Sequence, residues 1–454
     1  MWPLWRTIGI VCCLIATALG APATMPANDE PTKSSSDEPA KSRGILPIPD
    51  YSGDLLSRRY LTGDWGGART KLAEMGLTLD LSLTQVLQSI ADGGKDRTTR
   101  YGEKTDLLLN LDLDRMGAIP GALLTLRLES RYGDSINSRA GTLLPVNDVF
   151  FFPLTDPAEK DIGAYVTELR YTQFLCKQLG FYFGKFATLG GDANEFAAGR
   201  GDTQFLSHPF LGASVTALFN PYSTVGGGVI LMPTPELTLS SSLFASTDSS
   251  SKPGLDTFDD GLISSTTVNW QYEIGSLPGG MRGTYQYAFN QDFVNFKGTF
   301  VTLEGLSIPR TNESWCFFWN GWQYLYTEEK PTKPINISDG RTDLQGLGIF
   351  LRAATADQET NPIEWIVSGG IGGRGLIPTR DNDTFGIGYA YSSVSRIPIA
   401  SRRLIDGAAD RFEAYYTIAL LPSVELMFDL QCADSLRSKY DPALLLGMRL
   451  RIAF

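Results

Sequence analysis

Charged side chains that could bind a polar solute recur at alternating positions within otherwise apolar segments of this chain. In LLTLRLESR, leucines at 126 and 128 stand between Arg127, Glu129 and Arg131. A guanidinium offers a planar fork of N–H donors that can bridge neighbouring hydroxyl groups, and a carboxylate accepts hydrogen bonds from the same groups. The chemistry that these groups allow is reversible hydrogen bonding to a polar solute.

The same spacing recurs further along the chain. Glu168 and Arg170 share a side of YVTELRY, and Arg411 and Glu413 share a side of RFEAYY. Lys185, in FYFGKF, is a further candidate whose face the pattern leaves open. The candidate residues to line a solute channel are therefore Arg127, Glu129, Arg131, Glu168, Arg170, Lys185, Arg411 and Glu413. A competing interpretation is that these charges only pair with one another across strands, which is worth about 0.2–1 kcal/mol per pair.

Residues that could support catalysis or hold a metal are sparse. His208 is the only histidine, so a histidine-rich metal site is excluded. A Ser–His pair would have to recruit it from the loop-like segment SHPF. Asp381 and Asp383 lack the full spacing of a calcium loop. We therefore predict that the protein is not an enzyme and has no catalytic residues, metal or cofactor.

Charge and cysteine content narrow the partners. The formal net charge of −11 argues against nucleic acid and anionic lipid headgroups as partners. Three cysteines follow the N-terminal apolar stretch, Cys176, Cys316 and Cys432, so at least one has no partner for a disulfide within the chain. Their pairing stays open.

The N-terminus has the pattern of an export signal. Arg6 precedes the apolar stretch IGIVCCLIATALG, and small residues follow at Gly20 and Ala21. We predict a cleaved signal peptide over residues 1–20. Residues 21–50 are rich in Pro, Ser and mixed charge and have little to bury, which predicts a flexible leader.

A short helix is predicted within the next segment, residues 51–76. In TGDWGGARTKLAEMGL, Ala68, Leu72 and Met75 share a face at helical spacing, and Gly76 provides a C-terminal stop. A helix of this length is not stable alone, so it must pack against something larger.

Residues 77–454 read as one long series of strands. Leu77, Leu79, Leu81 and Leu83 alternate with polar residues, and similar segments recur to the end of the chain, about sixteen to eighteen in all. No apolar segment of about 20 residues follows Gly20, so a membrane could be crossed only by a closed barrel. We predict an all-β, closed antiparallel transmembrane barrel of about 16 strands. On a single strand, a soluble β-sandwich would explain the alternation equally well.

The last strand supports a barrel. Leu446, Met448, Leu450, Ile452 and Phe454 share one face, while the other carries arginines at 449 and 451 that are also expected to be lumenal. A strand of this kind can close against the first one and leave no open edge. The expected partners are outer-membrane lipids on the apolar face and the barrel assembly machinery, through the strand that ends at Phe454.

A family resemblance adds to this interpretation. The segment Gly63-Asp64-Trp65-Gly66-Gly67-Ala68-Arg69, followed by Leu72, Glu74 and Met75-Gly76-Leu77, resembles the start of the carbohydrate-selective porins of the OprB type. The C-terminal part is similar to the same family, with Arg411-Phe412-Glu413-Ala414-Tyr415-Tyr416, Pro422, Asp429-Leu430-Gln431 and Phe454. The resemblance implies a sixteen-stranded barrel in the outer membrane of a bacterium with two membranes. It also implies facilitated diffusion of small sugars, with the GDWGGAR helix near a barrel mouth.

Three matters stay open at this stage. The segment DVFFFPLTDPAEKD, at about 148–161, is one candidate for a constriction loop. The aromatic clusters at Phe317–Tyr326, Tyr389 with Tyr391, and Tyr415 with Tyr416 fit either membrane-interface girdles or ordinary sheet positions. The alternatives to a sugar channel are a general porin or one for organic acids or amino acids, an outer-membrane enzyme, and a structural surface barrel.

Overall fold

The computed structural model describes residues 44–151, 163–190, 193–216, 220–255, 258–297, 300–302, 305–307, 309–328, 344–394, 408–435 and 440–454. The predicted signal peptide, 1–20, lies outside these residues, as does the predicted leader up to residue 43.

Sixteen long antiparallel strands form a single closed barrel in the described chain. In chain order they are β1 Leu77–Asp92, β2 Thr99–Asp112, β3 Ala122–Gly133, β4 Ala164–Phe174, β5 Leu179–Ala187, β6 Ser223–Thr234, β7 Leu237–Ala245, β8 Leu262–Ile274, β9 Leu277–Val294, β12 Arg310–Thr327, β13 Gly346–Ala356, β14 Ile363–Arg374, β15 Thr384–Val394, β16 Ala408–Leu421, β17 Val424–Ala433 and β18 Ala443–Ala453. Two short strands, β10 Phe300–Thr302 and β11 Gly305–Ser307, form a separate hairpin between β9 and β12.

The barrel closes by pairing its first strand with its last. Ser82 of β1 lies opposite Ala453 of β18, and Ser89 lies opposite Leu446, while the other edge of β1 pairs with β2. Each remaining strand likewise has a neighbour on both sides, so no edge of the barrel sheet is left unpaired. The predicted closed barrel of about sixteen strands is confirmed.

The period-two pattern separates an outer face from an inner face. Along β1, Thr84 and Gln88 are buried inside the barrel, whereas Leu87, on the opposite side of the strand, is 45% exposed. The exposed large side chains of the other strands are mostly leucine, isoleucine, valine and aromatic residues on this outer face. An apolar belt around a polar interior is the arrangement that a lipid bilayer requires.

The two ends of the barrel differ. The rim that holds the start of β1 and the end of β18, here called the terminal rim, has two-residue turns at 235–236, 275–276 and 422–423. The opposite rim, the loop rim, carries the connections 134–163 and 188–222.

Exposed aromatic side chains lie on the outer face near both rims. Near the loop rim they are Tyr101, Tyr132, Trp315, Trp365 and Tyr391, and near the terminal rim they are Trp270 and Tyr326. This placement favours an interfacial girdle for Tyr326, Tyr389 and Tyr391. Tyr415 instead faces inward and is buried against Phe205.

The N-terminal segment packs at the terminal rim through a short helix, α1 Ala68–Glu74, which follows the 3-10 turn Trp65–Gly67. The helix was predicted, but its predicted contact face was wrong: Met75 is 59% exposed, and Arg69 and Ala73 are the buried residues. The reason is that the Arg69 guanidinium packs against the rings of both Tyr51 and Tyr60, with its central carbon 4.2 and 4.3 Å from their centroids. Gly76 ends the helix at φ +101°.

Residues 44–50 depart from the flexible leader predicted for 21–50. The backbone amides of Ile45 and Leu46 both donate to the carboxylate of Asp112, over 2.7 and 3.0 Å, and Ile45 is buried. These bonds hold the segment against the turn that follows β2, so the ordered N-terminal segment begins earlier than composition indicated.

The other helices of the described chain are short: α2 Asn137–Ala140, and 3-10 turns at Asp148–Phe150, Gly199–Gly201, His208–Phe210 and Phe258–Asp260. Of the helices in the described ranges, none has the length and apolar character needed to cross a membrane.

Candidate solute channel

The described parts of two connections at the loop rim fold into the barrel. They are called inner loop 1, in the connection 134–163, and inner loop 2, in the connection 188–222; residues 152–162, 191–192 and 217–219 lie outside the described residues. In inner loop 1, the carbonyl oxygens of Leu144 and Pro145 accept hydrogen bonds from Arg411 of the inner wall, over 3.1 and 3.2 Å. The carbonyl of Val146 accepts another from Gln431. These bonds place inner loop 1 against strands β16 and β17.

Inner loop 2 contacts much of the inner wall. The Glu413 carboxylate accepts hydrogen bonds from the backbone amides of Leu206 and Ser207. Arg449 donates to the carbonyl oxygens of Gly201 and Gln204, and Arg352 donates to that of Ala197. Lys104 forms an ion pair with Asp202 at 2.6 Å. The loop is therefore fixed to strands β2, β13, β16 and β18 by charged side chains that are themselves buried.

Glycines on the inner wall make room for the aromatic residues of inner loop 2. A Cβ at Gly348 would lie 2.2 Å from the Phe196 ring, and one at Gly388 would lie 2.8 Å from the Phe210 ring. Phe205 packs edge-on against Tyr415, with ring centroids 4.9 Å apart. Bulky residues of the loop and small residues of strands β13–β15 thus form one packed side of the interior.

Arg127, Glu129 and Arg131 all lie on the inner face of β3, but the structure gives them different surroundings. Glu129 is 1% exposed and lies 3.2 Å from Arg131 and 3.1 Å from Arg200 of inner loop 2. Arg131 also donates to the carbonyl of Val149, over 2.7 Å. Glu129 and Arg131 therefore fasten both inner loops to the wall.

Arg127 borders the remaining polar space. Its side chain is 23% exposed, and its Nε lies 3.6 Å from the carboxylate of Asp106 on β2. On the next strand, Arg170 lies 3.1 Å from Glu168, with the Arg170 side chain 17% exposed. Register places Arg127 opposite Glu168. These four residues, Asp106, Arg127, Glu168 and Arg170, form a polar surface that is called the charged wall below.

The charged wall extends across the seam of the barrel. Arg451 of β18 lies 3.9 Å from Glu425 of β17, and both side chains are partly exposed. Acidic and basic groups therefore alternate along neighbouring strands on the same inner side. Such a surface offers both donors and acceptors to a solute that has lost part of its hydration.

Arg411 and Glu413 also point inward, but both are buried. Arg411 binds the carbonyls of inner loop 1 and the Ser207 hydroxyl, and Glu413 binds inner loop 2 as described. In this structure their hydrogen-bonding groups are directed at the loops, so the charged wall does not include them.

Lys185 lies on the outer face of β5. Antiparallel partners point to the same side of a sheet, and Lys185 pairs with Leu169 and Val225. Leu169 is 47% exposed on the outer face. The Lys185 ammonium donates to the carbonyl oxygens of Ser249 and Lys252, over 2.6 and 2.7 Å, in the connection that follows β7. The register thus separates Lys185 from the charged wall.

His208 joins the two inner loops. Its Nδ1 lies 2.6 Å from Asp148 Oδ1, and its ring packs beside Phe151. Among the described residues, no group of three or more His, Cys, Asp or Glu side chains is arranged to hold a metal ion. The candidate constriction segment at about 148–161 is only partly described: residues 148–151 lie inside the barrel, and 152–161 lie outside the described residues.

Inner loop 2 was not predicted from the sequence, and neither were its charged anchors Lys104, Arg200, Asp202 and Arg352. One signal was available. The loop carries phenylalanines at 196, 205 and 210 without strand periodicity, and all three are buried. Long connections with apolar content are often functional, and glycines at inward positions of β13–β15 mark a close approach.

Comparisons with known proteins agree with this architecture. Residues 96–454 match the family described as carbohydrate-selective porin, OprB family. Porin B of Pseudomonas aeruginosa is 23% identical over 378 residues, which is 77% of each chain. The high-pH structure of Pseudomonas putida OprB superposes with a TM-score of 0.71 at 20% identity, covering 88% of this chain and 99% of that one. Its low-pH structure gives a TM-score of 0.55 at 17% identity. Since the family match spans most of the sequence, this chain belongs to the carbohydrate-selective porin family, OprB.

Proposed function

We propose that this chain is an outer-membrane channel through which small sugars diffuse passively. The observation that carries the proposal is the charged wall: partly exposed Asp106, Arg127 and Arg170, together with the buried Glu168, face an interior that the two inner loops narrow. Membership of the OprB family supports the same solute class.

The chemistry of the charged wall suits a neutral polyol. Each ion pair presents N–H donors beside carboxylate oxygens, so a sugar can replace several water contacts without carrying a charge of its own. The ion pairs stay intact when the solute leaves, because the charges already compensate each other. Binding can therefore be weak enough for flux, which conduction requires.

Placement in the membrane follows from the outer face. The apolar belt would contact outer-membrane lipids, and β18, which ends beside Phe454, would be the strand offered to the barrel assembly machinery. Export through a cleaved signal over residues 1–20 completes the proposed route. The inner-wall residues Glu129, Arg131, Arg411 and Glu413 would contribute indirectly, by fixing the inner loops that shape the passage.

The proposal is tested by uptake of radiolabelled glucose into bacteria that carry or lack the protein, with their native sugar porins deleted. The account predicts faster glucose uptake at low external concentration when the protein is present. A passive channel also predicts that uptake across the outer membrane needs no energy source and therefore persists in isolated outer-membrane vesicles. Equal glucose uptake by the two strains would contradict the proposal, and equal acceleration of sugars and amino acids would indicate a general porin.

A further inference from the structure

An arginine without an ion pair among the described residues lies across the barrel from its seam. Arg282 of β9 pairs in register with Asn269 of β8 and with Asn320 of β12. It is two residues from Thr284, which is buried on the inner face, so Arg282 points inward. Seven strands separate β9 from β1 in either direction around the barrel. Arg282 therefore faces the side of the interior that carries the charged wall.

The neighbouring amide has a fixed orientation. Asn194 of inner loop 2 accepts backbone N–H bonds from Phe196 and Ala197 with its Oδ1, over 3.0 and 3.1 Å. Its Nδ2 is therefore the donor toward Asn320, whose Oδ1 accepts at 3.3 Å. The assignment of the Asn320 amide follows from this network. Nδ2 of Asn320 is therefore the amide atom that has no partner within this network.

Two buried donors are consequently unsatisfied side by side. Asn320 is 0% exposed, and among the described residues neither its Nδ2 nor the buried Nε of Arg282 has a hydrogen-bond partner. Opposed residues on antiparallel strands hold their Cβ atoms about 4.5–5.5 Å apart. A buried donor without an acceptor costs about 1–3 kcal/mol, so this position has the properties of a site that awaits an acceptor.

Arg282 also differs from the arginines of the charged wall and its extension. Arg127, Arg170 and Arg451 each lie within 4 Å of a carboxylate. Within the ranges that the structure describes, Arg282 forms no such ion pair. Its positive charge is thus available to an anion. The adjacent amide N–H adds a second donor, so the position suits a carboxylate, which has two oxygens to accept hydrogen bonds.

We infer that Arg282 and Asn320 form a transient binding position for the carboxylate of a small sugar acid, with the sugar hydroxyls turned toward the charged wall. This inference rests on the proposed function, since it extends the solute class of the same passage from neutral sugars to aldonic and uronic acids. An acidic sugar would then pass faster than the overall negative charge of the chain would indicate.

The test is flux of radiolabelled gluconate and glucose into liposomes that contain the purified protein. Arg282→Gln should lower the ratio of gluconate to glucose entry by about tenfold, the effect of losing one charge-assisted contact, while glucose entry changes less than about twofold. Arg282→Lys keeps the charge without the planar fork and should give an intermediate ratio. Arg310→Gln is the matched control, because Arg310 is an exposed arginine near the loop rim, paired with Asp292.

Each outcome decides between the claims. The heat-dependent shift in gel mobility first checks that both barrels are folded. If the gluconate-to-glucose ratio is then the same in the wild type and in Arg282→Gln, the inference is overturned and the proposed function still stands. Failure of glucose to enter through the wild type would overturn the proposed function, and the dependence of gluconate entry on Arg282 would still decide the inference. If Arg282→Gln lost chloride permeability while gluconate entry stayed unchanged, the inference would also be overturned.

Discussion

The guanidinium of Arg69 donates to the carbonyl oxygen of Phe454 over 3.0 Å, although 385 residues separate the two in sequence. The same nitrogen also donates to the carbonyl of Leu79 in β1, so one side chain joins the N-terminal segment to the first strand and to the end of the last. Its cation packs against the rings of both Tyr51 and Tyr60. The GDWGGAR motif thus serves to fasten the terminal rim at the seam.

Replacing Arg69 by alanine should destabilise the barrel. The change removes charge-assisted hydrogen bonds worth about 1.5–3 kcal/mol and cation–π contacts worth about 0.5–2 kcal/mol, so we expect a loss of about 2–4 kcal/mol in the free energy of unfolding. The unfolding temperature, followed by gel mobility after heating, checks this. Lys71→Ala, on the exposed side of the same helix, should leave that temperature unchanged. Equal effects of the two variants would contradict the assigned role.

Removing the Glu413 carboxylate should release inner loop 2. Glu413→Ala leaves the amides of Leu206 and Ser207 without acceptors, at about 1–3 kcal/mol each. The loop should then leave the wall part of the time, and single-channel recordings should show added current fluctuation and a weaker distinction between mono- and trisaccharides. Glu359→Ala, in the exposed turn between β13 and β14, is the control. A quiet, unchanged conductance for Glu413→Ala would contradict this role.

Arg127→Ala should change solute preference with little effect on stability. Among the three charged residues on the inner face of β3, Arg127 is the partly exposed one. Loss of its guanidinium weakens hydroxyl binding at the charged wall. Relative entry rates of glucose and similarly sized amino acids into liposomes should move closer together, while the unfolding temperature stays near that of the wild type. A strongly lowered unfolding temperature with unaltered preference would mean that Arg127 is structural.

Arg131→Ala should have the opposite signature. Its guanidinium lies 3.2 Å from Glu129, which is almost fully buried, and breaking such a pair costs about 3–5 kcal/mol because a buried charge loses its partner. We expect a lowered unfolding temperature, measured alongside Arg127→Ala in the same assay. If both variants had the same stability, the distinction between a fastening residue and a wall residue would be wrong.

Asp383, in the turn between β14 and β15, provides a pH-dependent contact. Burial acts to raise its pKa, but hydrogen bonds from Arg380, Tyr416 and the amide of Ala419 outweigh it and hold the pKa below the usual value. A lowered folded-state pKa means that the stabilisation is complete above the unfolded value of about 3.9 and is lost as the pH falls through the folded value.

Asp383→Asn should therefore lower the unfolding temperature at pH 7, and the gap to the wild type should shrink at pH 3 and below. Circular dichroism melts at pH 7, pH 3 and pH 2 measure this difference. A gap of the same size at pH 7 and at pH 2 would show that the carboxylate charge is not what stabilises the turn.

Strand parity could be read from the sequence because the physical rule is local. Leucine on every second residue fixed the outer face, so Arg127, Glu129 and Arg131 had to share the inner one. The face of Lys185 could not be assigned in this way, because both sides of its strand are apolar or small: Phe183 is on the same side as Lys185, and Gly184 and Phe186 are on the other. Only the register with Leu169 and Val225 assigns its face.

The roles of the inner-face charges could not be predicted in the same way. Whether Arg127 meets open space and Glu129 meets Arg200 depends on where inner loop 2 folds, and that loop has no period to reveal its path. The contact face of helix α1 was mispredicted for a related reason: apolar spacing selected Ala68, Leu72 and Met75, whereas the contact of Arg69 with two tyrosine rings decides the packing.

The central claim is carbohydrate selectivity, and liposome swelling with the purified protein tests it most directly. Swelling rates would be compared for monosaccharides, zwitterionic amino acids of matched size and larger saccharides. The account predicts that monosaccharides enter clearly faster than amino acids of the same size, and that this advantage depends on Arg127. Rates that follow molecular size alone, in both the wild type and Arg127→Ala, would contradict it.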